Sequence, residues 1–250
     1  MLFRVSRPLF RTICTFLALF LVCGVFTLFS QKINSEVVLS AIDTSTAPPP
    51  LTVVIDAGHG GEDGGASSAD GIVEKELNLK IAELLCDMLK SNGVKVVMTR
   101  TEDVLLYDKN ADYIGRKKAL DLAERRKIAE ETENCIFVSI HMNAFPMTQY
   151  SGLQVWYSPN NPASQSLAES IRKTVCETLQ PDNERQSKRA TSSIYLLHHL
   201  NAPAVLIECG FLSNPQECAK LSQEDYQKKL AFSIYLSIVN YLNDTSKNPR

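Results

Sequence analysis

Several patterns that would name a chemistry at once are missing from this 250-residue chain. No HExxH stands anywhere, which removes the helix-borne zinc protease pattern, and no GxSxG offers an exposed serine nucleophile. Seven cysteines are present, but none pair as CxxC, so no zinc knuckle is written. Five of them, Cys86, Cys135, Cys176, Cys209 and Cys218, sit mostly in apolar patterns and read as buried free thiols. Basic residues are not in excess: 26 Lys and Arg meet 28 Asp and Glu, for a formal charge of −2, so nucleic acid is not an expected partner. There is no internal repeat, no low-complexity stretch and no appended binding module, which places any specificity in one domain.

What is present begins with a long apolar run. Residues 12–31 carry no charge, and 12–29 is long enough to cross a hydrocarbon core of about 30 Å as a helix. Arg4, Arg7 and Arg11 precede it, which keeps that end in the cytoplasm and turns the remainder outward. No small-x-small cleavage site follows the run, so residues 1–31 read as a membrane anchor, with a cleaved signal segment and a secreted domain as the alternative. Residues 32–50 end in three prolines and read as an extended linker, and the folded domain is expected over 51–250.

Within that domain short β-branched runs alternate with helical patterns. Strands are expected at 52–55, 94–99, 135–140, 152–158 and 204–207, and helices at 75–91, 116–130, 162–179 and 224–243. The alternation predicts an α/β fold, a single domain with a mostly parallel central sheet flanked by helices.

Such sheets gather ligands at the carboxyl ends of their strands. Three expected strand ends carry groups suited to one metal site: Asp56 and His59 after the first, His141 directly after the third, and Glu208 at the end of 204–207. A fourth group is Glu74 in "GIVEKELNL", with Glu76 as a local competitor. Two histidines and a carboxylate form a catalytic zinc set that leaves a position for water, whose pKa the metal lowers towards ~7; Glu208 suits the role of proton acceptor. The glycines of "VVIDAGHGGEDGG" do not make a phosphate cradle, because the P-loop lysine and hydroxyl are absent and the third glycine of GxGxxG falls on Asp63.

Each residue also has a plainer reading. Asp63 is expected to cap its own turn rather than orient a histidine. Asn143 either touches substrate or fixes the loop after His141. His198 and His199 read as structural or surface residues, and the clusters 116–118 and 125–127 as the solvated face of a helix.

The motifs "VVIDAGHGGEDGGA", "VEKELNL", "VMTRTED", "VSIHMNA" and "VLIECGFLSNPQE", in that order, together resemble the zinc-dependent N-acetylmuramoyl-L-alanine amidases of the amidase 3 family. The resemblance covers nearly all of residues 52–243. It implies that His59, Glu74 and His141 hold Zn2+, settling Glu74 over Glu76, and that Glu208 is the catalytic carboxylate. Asp-Ala-Gly-His replaces the family's Asp-Pro-Gly-His, and Ile-Glu-Cys-Gly its Val-Glu-Val/Thr-Gly, so Cys209 beside the catalytic position is a candidate for oxidation or stray metal binding. The implied substrate is peptidoglycan, at the amide joining N-acetylmuramic acid to L-alanine, outside the cytoplasm.

The form "YIGRKKALDLAERRKIAE" with a lone anchor is similar to the sporulation branch, which acts on the spore cortex as a step towards muramic δ-lactam and germination. A vegetative amidase of cell separation or turnover is the alternative. A non-catalytic, membrane-tethered peptidoglycan-binding protein and an exported sugar deacetylase are others. An activating protein partner is not visible in sequence. One long helix between His141 and Glu208 leaves little room for a second that would cover the zinc, so no built-in plug is expected.

Overall fold

The computed structural model describes residues 51–108, 110 and 113–247, with side chains as far as Asp244. The expected anchor (1–31) and linker (32–50) lie outside the described residues. Among the described residues no helix is long and apolar enough to cross a membrane.

Among the described residues six strands form one sheet: β1 (Thr52–Ala57), β2 (Lys95–Met98), β3 (Cys135–Asn143), β4 (Gln154–Tyr157), β5 (Lys188–Arg189) and β6 (Ala204–Phe211), in the order β2-β1-β3-β6-β4-β5. The central pairs β1/β2, β1/β3 and β3/β6 are parallel, and β4 runs antiparallel to β6. The helices are α1 (Glu74–Ser91), α2 (Lys117–Glu131), α3 (Ala163–Thr178), α4 (Tyr195–His199), α5 (Pro215–Leu221) and α6 (Glu224–Lys247). The mostly parallel α/β domain expected from the alternation is the fold observed.

Successive strand residues face opposite sides of a sheet, and this period explains where the site lies. Val53, Ile55 and Ala57 of β1, Ile136, Val138 and Ile140 of β3, and Val205 and Ile207 of β6 join the larger core with α1, α3 and α6. Val54, Phe137 and Ala204 face a smaller core with α2 and α4. Along that second face the apolar residues give way to Asp56, Ser139, His141, Asn143 and Glu208 towards the carboxyl ends of the strands. The fold thus leaves a polar strip beside a thin apolar layer.

Five elements differ from expectation for physical reasons. β3 and β6 run past their expected ends, so His141 and Glu208 lie within strands and face each other in register. The register then shifts between His141 and Asn143, with an extra residue on β6; such a bulge kinks the strand and re-aims side chains. Helix α5 is not among the expected helices although its start signals are local: Asn214 caps it by accepting the Glu217 N–H at 3.0 Å, and Pro215 opens it. β5 and α4 are too short to leave a periodic signal.

Candidate metal centre

The glycine-rich loop after β1 docks on the start of α1. The Glu74 N–H donates to Ala66 O at 2.9 Å and the Lys75 N–H to Gly64 O at 3.1 Å, satisfying donors that a helix N-terminus leaves unpaired. Glu74 Oε2 in turn accepts the Ala66 N–H at 2.8 Å. Glycine is required where this loop passes ligand-type side chains. A Cβ at Gly58 would lie 2.2 Å from His141 Nε2, and one at Gly65 (φ +70°) 2.5 Å from Glu74 Oε2. We expect Gly65→Ala to cost at least about 1 kcal/mol of stability and to displace the Glu74 carboxylate. Thermal melting and metal affinity check this, and an unchanged variant would contradict the packing described.

That packing brings His59, Glu74 and His141 together, with one donor atom from each within 4.8 Å of the others. Glu74 Oε1 is the focus: His141 Nδ1 lies at 2.9 Å and His59 Nε2 at 3.4 Å. Asn78 Nδ2 and the Met142 N–H also donate to it, at 3.3 and 3.0 Å. Burial would raise the Glu74 pKa, but the two facing histidines outweigh it and hold the carboxyl far below its ordinary range. Burial would likewise lower the His59 pKa, yet Glu74 and then Asp63 outweigh it and raise it. The competitor Glu76 is exposed.

Asp63 does more than cap its turn. Its Oδ1 accepts the Gly65 N–H at 3.2 Å, while Oδ2 lies 2.9 Å from His59 Nδ1, an ion-pair contact outside hydrogen-bond geometry. Asp56, grouped in sequence with the metal candidates, stands apart from them. It accepts from Thr99 Oγ1 at 2.8 Å, Ser139 Oγ at 2.6 Å and Arg125 Nη1 at 2.7 Å. Arg125 therefore overturns the solvated reading of 125–127: it is 1% exposed and also bonds Asp121 through Nε at 2.8 Å. Its neighbours do follow expectation, with Arg126 and Lys127 in partly exposed or exposed pairs with Glu130 and Glu124. Arg125 and Arg100, buried behind the loop, are the residues that sequence reasoning missed. His199 Nδ1 contacts Tyr195 O at 2.8 Å and His198 is exposed, as expected of structural and surface residues.

Glu208 lies beside the cluster rather than in it. Asn143 Nδ2 donates to Glu208 Oε2, which resolves Asn143 as a holder of that carboxylate. Burial pushes the Glu208 pKa up, and Trp156, His141 and Asn143 offset this only in part. Trp156 Nε1 is buried, and no acceptor meets it at hydrogen-bond geometry. Residues 193–196, leading into α4, wall one side of a cleft of about 220 Å³ that opens on His59 and His141. A larger cavity of about 640 Å³, between Tyr150, Gln180, Arg185 and Lys220, is lined by none of these residues.

Cys209 does not behave as its position in sequence suggests. Its side chain turns into the larger core, fully buried, and burial followed by the charges of Glu74, Glu217 and Glu208 pushes the thiol well above its ordinary pKa. An inert thiol is the consequence. In the native chain Cys209 should resist iodoacetamide at neutral pH, read by peptide mass, and rapid labelling before unfolding would refute its burial.

Comparison with known proteins agrees with this geometry. The family model for N-acetylmuramoyl-L-alanine amidase (amidase 3) matches residues 53–240. The chain is 36% identical over 197 residues to the germination-specific N-acetylmuramoyl-L-alanine amidase of Bacillus subtilis (strain 168), covering 79% of this chain and 82% of that relative. It is 31% identical over 192 residues to N-acetylmuramoyl-L-alanine amidase LytC of the same organism, covering 76% of this chain and 35% of LytC. The structure of the CwlD amidase from Clostridioides difficile in complex with the GerS lipoprotein superposes with a TM-score of 0.73 at 37% identity, covering 78% of this chain and 99% of that one. The chain belongs to the amidase 3 family of N-acetylmuramoyl-L-alanine amidases, enzymes that hydrolyse peptidoglycan.

Proposed function

We propose that this chain is a zinc-dependent amidase of the spore cortex, working outside the cytoplasm from an N-terminal membrane anchor (1–31) through a linker (32–50) and a catalytic domain (51–250). The observation that carries the zinc assignment is the convergence of His59, Glu74 and His141 within 4.8 Å beside Glu208. Two imidazoles and a carboxylate are a donor set for catalytic zinc, and the charged Glu74 with its facing ring nitrogens fits a divalent cation. Held there, zinc would supply Lewis acidity towards the scissile carbonyl and a bound water.

The chain's own groups do the rest. Glu208 Oε2, held by Asn143, accepts the proton of the attacking water and passes it to the departing L-alanine nitrogen. The carbon–nitrogen bond breaks, leaving a carboxylate on the lactyl group and a free amine on the peptide. Asp63 orients His59, and Asn78 with the Met142 N–H orients Glu74.

The cortex reading is supported by the similarity to a germination-specific amidase, as a step towards muramic δ-lactam. The GerS complex of a similar amidase supports a protein partner for this chain as well. Incubation of the purified chain with cortex-type and vegetative peptidoglycan tests the reading, with new L-alanine amino termini read by mass spectrometry. Faster release from cortex material is expected. Equal or faster release from vegetative wall would replace the cortex role with cell separation or turnover.

A further inference from the structure

His59 occupies the left-handed region of backbone space (φ 61°), a conformation that residues with a Cβ rarely hold unless their surroundings over-determine it. Two buried arginines from separate elements surround it. Arg125, on α2, donates from Nη1 to Ala57 O and from Nη2 to His59 O, both at 2.7 Å. Arg100, in the loop after β2, donates from Nε to Ala57 O at 2.8 Å and from Nη2 to Gly58 O at 3.0 Å. Three consecutive carbonyls therefore point at guanidinium groups, and rotation of the chain at His59 would break those bonds.

The arginines are themselves fixed. Asp121 and Asp56 hold Arg125 at 2.8 and 2.7 Å, and Arg100 is tied to Glu102 O at 3.0 Å and Lys75 O at 2.9 Å, at the first turn of α1. Arg100 thus links the loop carrying His59 to the helix carrying Glu74. Apolar residues would fill the same space without the desolvation of a buried charge, so packing alone gives no reason for guanidinium here. Lysine would keep the charge but present one nitrogen where several divergent acceptors must be met.

We propose that Arg100 and Arg125 are positioning residues, a guanidinium clamp on the carbonyls of Ala57, Gly58 and His59 that fixes the left-handed conformation of His59 and so aims its Nε2 at Glu74 and His141. The clamp rests on the reading of His59 as a metal ligand. It acts on metal affinity and ligand geometry, not merely on stability.

The test uses the whole chain as wild type, Arg100→Lys, Arg125→Lys and Ile171→Ala, the last a control that truncates a fully buried side chain on α3. Zn2+ affinity is measured by competition with a chromogenic chelator, and ligand geometry by the visible absorption of the Co2+-loaded protein, at a temperature where circular dichroism shows each variant folded. Both lysine variants are expected to bind Zn2+ roughly 10–100-fold more weakly and to shift the Co2+ bands, while Ile171→Ala lowers the melting temperature and leaves both readouts unchanged. Lysine variants with wild-type affinity and unchanged Co2+ spectra would overturn the clamp whatever their melting temperatures. If Arg125→Lys does not fold, Arg100→Lys decides, because Arg100 makes no hydrogen bond to Asp56 or Asp121. A wild-type chain that binds neither ion overturns the metal reading and the clamp with it, an outcome distinct from selective loss in the variants.

Discussion

Glu208→Gln should lower kcat by a factor of about 10²–10⁴ while the chain keeps its fold and its metal. The amide preserves the size of the side chain and a contact with Asn143, and Glu208 is not among the residues that converge on Glu74 Oε1. What disappears is the capacity to take a proton from water. The same substitution carries a stability signature of opposite sign. In the metal-free chain burial raises the Glu208 pKa, so the folded state binds this proton more tightly than the unfolded state does. Such a carboxyl lowers stability as pH rises from the ordinary glutamate value of about 4.3 through the raised folded value. Metal-free Glu208→Gln is therefore expected to melt higher than wild type at neutral pH and to match it at low pH. An inactive variant that melts lower at neutral pH would mean that the carboxylate serves the fold.

The second large effect lies beneath the site. Arg125→Met should destabilise the chain by about 3–5 kcal/mol, measured by urea unfolding, because it leaves Asp56 and Asp121 buried without their guanidinium. Its pH dependence should also invert. In the wild type, burial would raise the Asp56 pKa, but Arg125, with Ser139 and His141, outweighs it and lowers it. Stability from a depressed carboxyl is present above its unfolded pKa of about 3.9 and is lost as pH falls through the folded value. Without Arg125 the burial of Asp56 is no longer offset, and the variant should lose stability as pH rises from that value instead. A fall of under about 1 kcal/mol would show that Asp56 finds enough support in Thr99 and Ser139 alone.

These two residues show what a sequence does and does not carry. The α/β alternation and the apolar face of α1 are local periodicities, and they locate the strands and helices within a few residues. His59, His141 and Glu208 were legible because polar groups interrupt runs that otherwise belong in a core. The placement of His141 and Glu208 inside strands was not, since the bulge on β6 and the acceptance of the Phe211 N–H by Glu217 are tertiary. Arg125 was illegible for the same reason: it stands among charged neighbours on α2, and its partner Asp56 is 69 positions away. Asp63 misled in the other direction, because turn capping and contact with His59 use different oxygens of one carboxylate.

The measurement that bears most directly on the account is zinc content per chain after dialysis, for wild type, Glu74→Gln and Glu208→Gln, with folding followed by circular dichroism. Close to one zinc is expected for wild type and for Glu208→Gln, and close to none for folded Glu74→Gln. Full zinc in Glu74→Gln, or its loss from Glu208→Gln, would contradict the division between the residues that hold the metal and the residue that moves the proton.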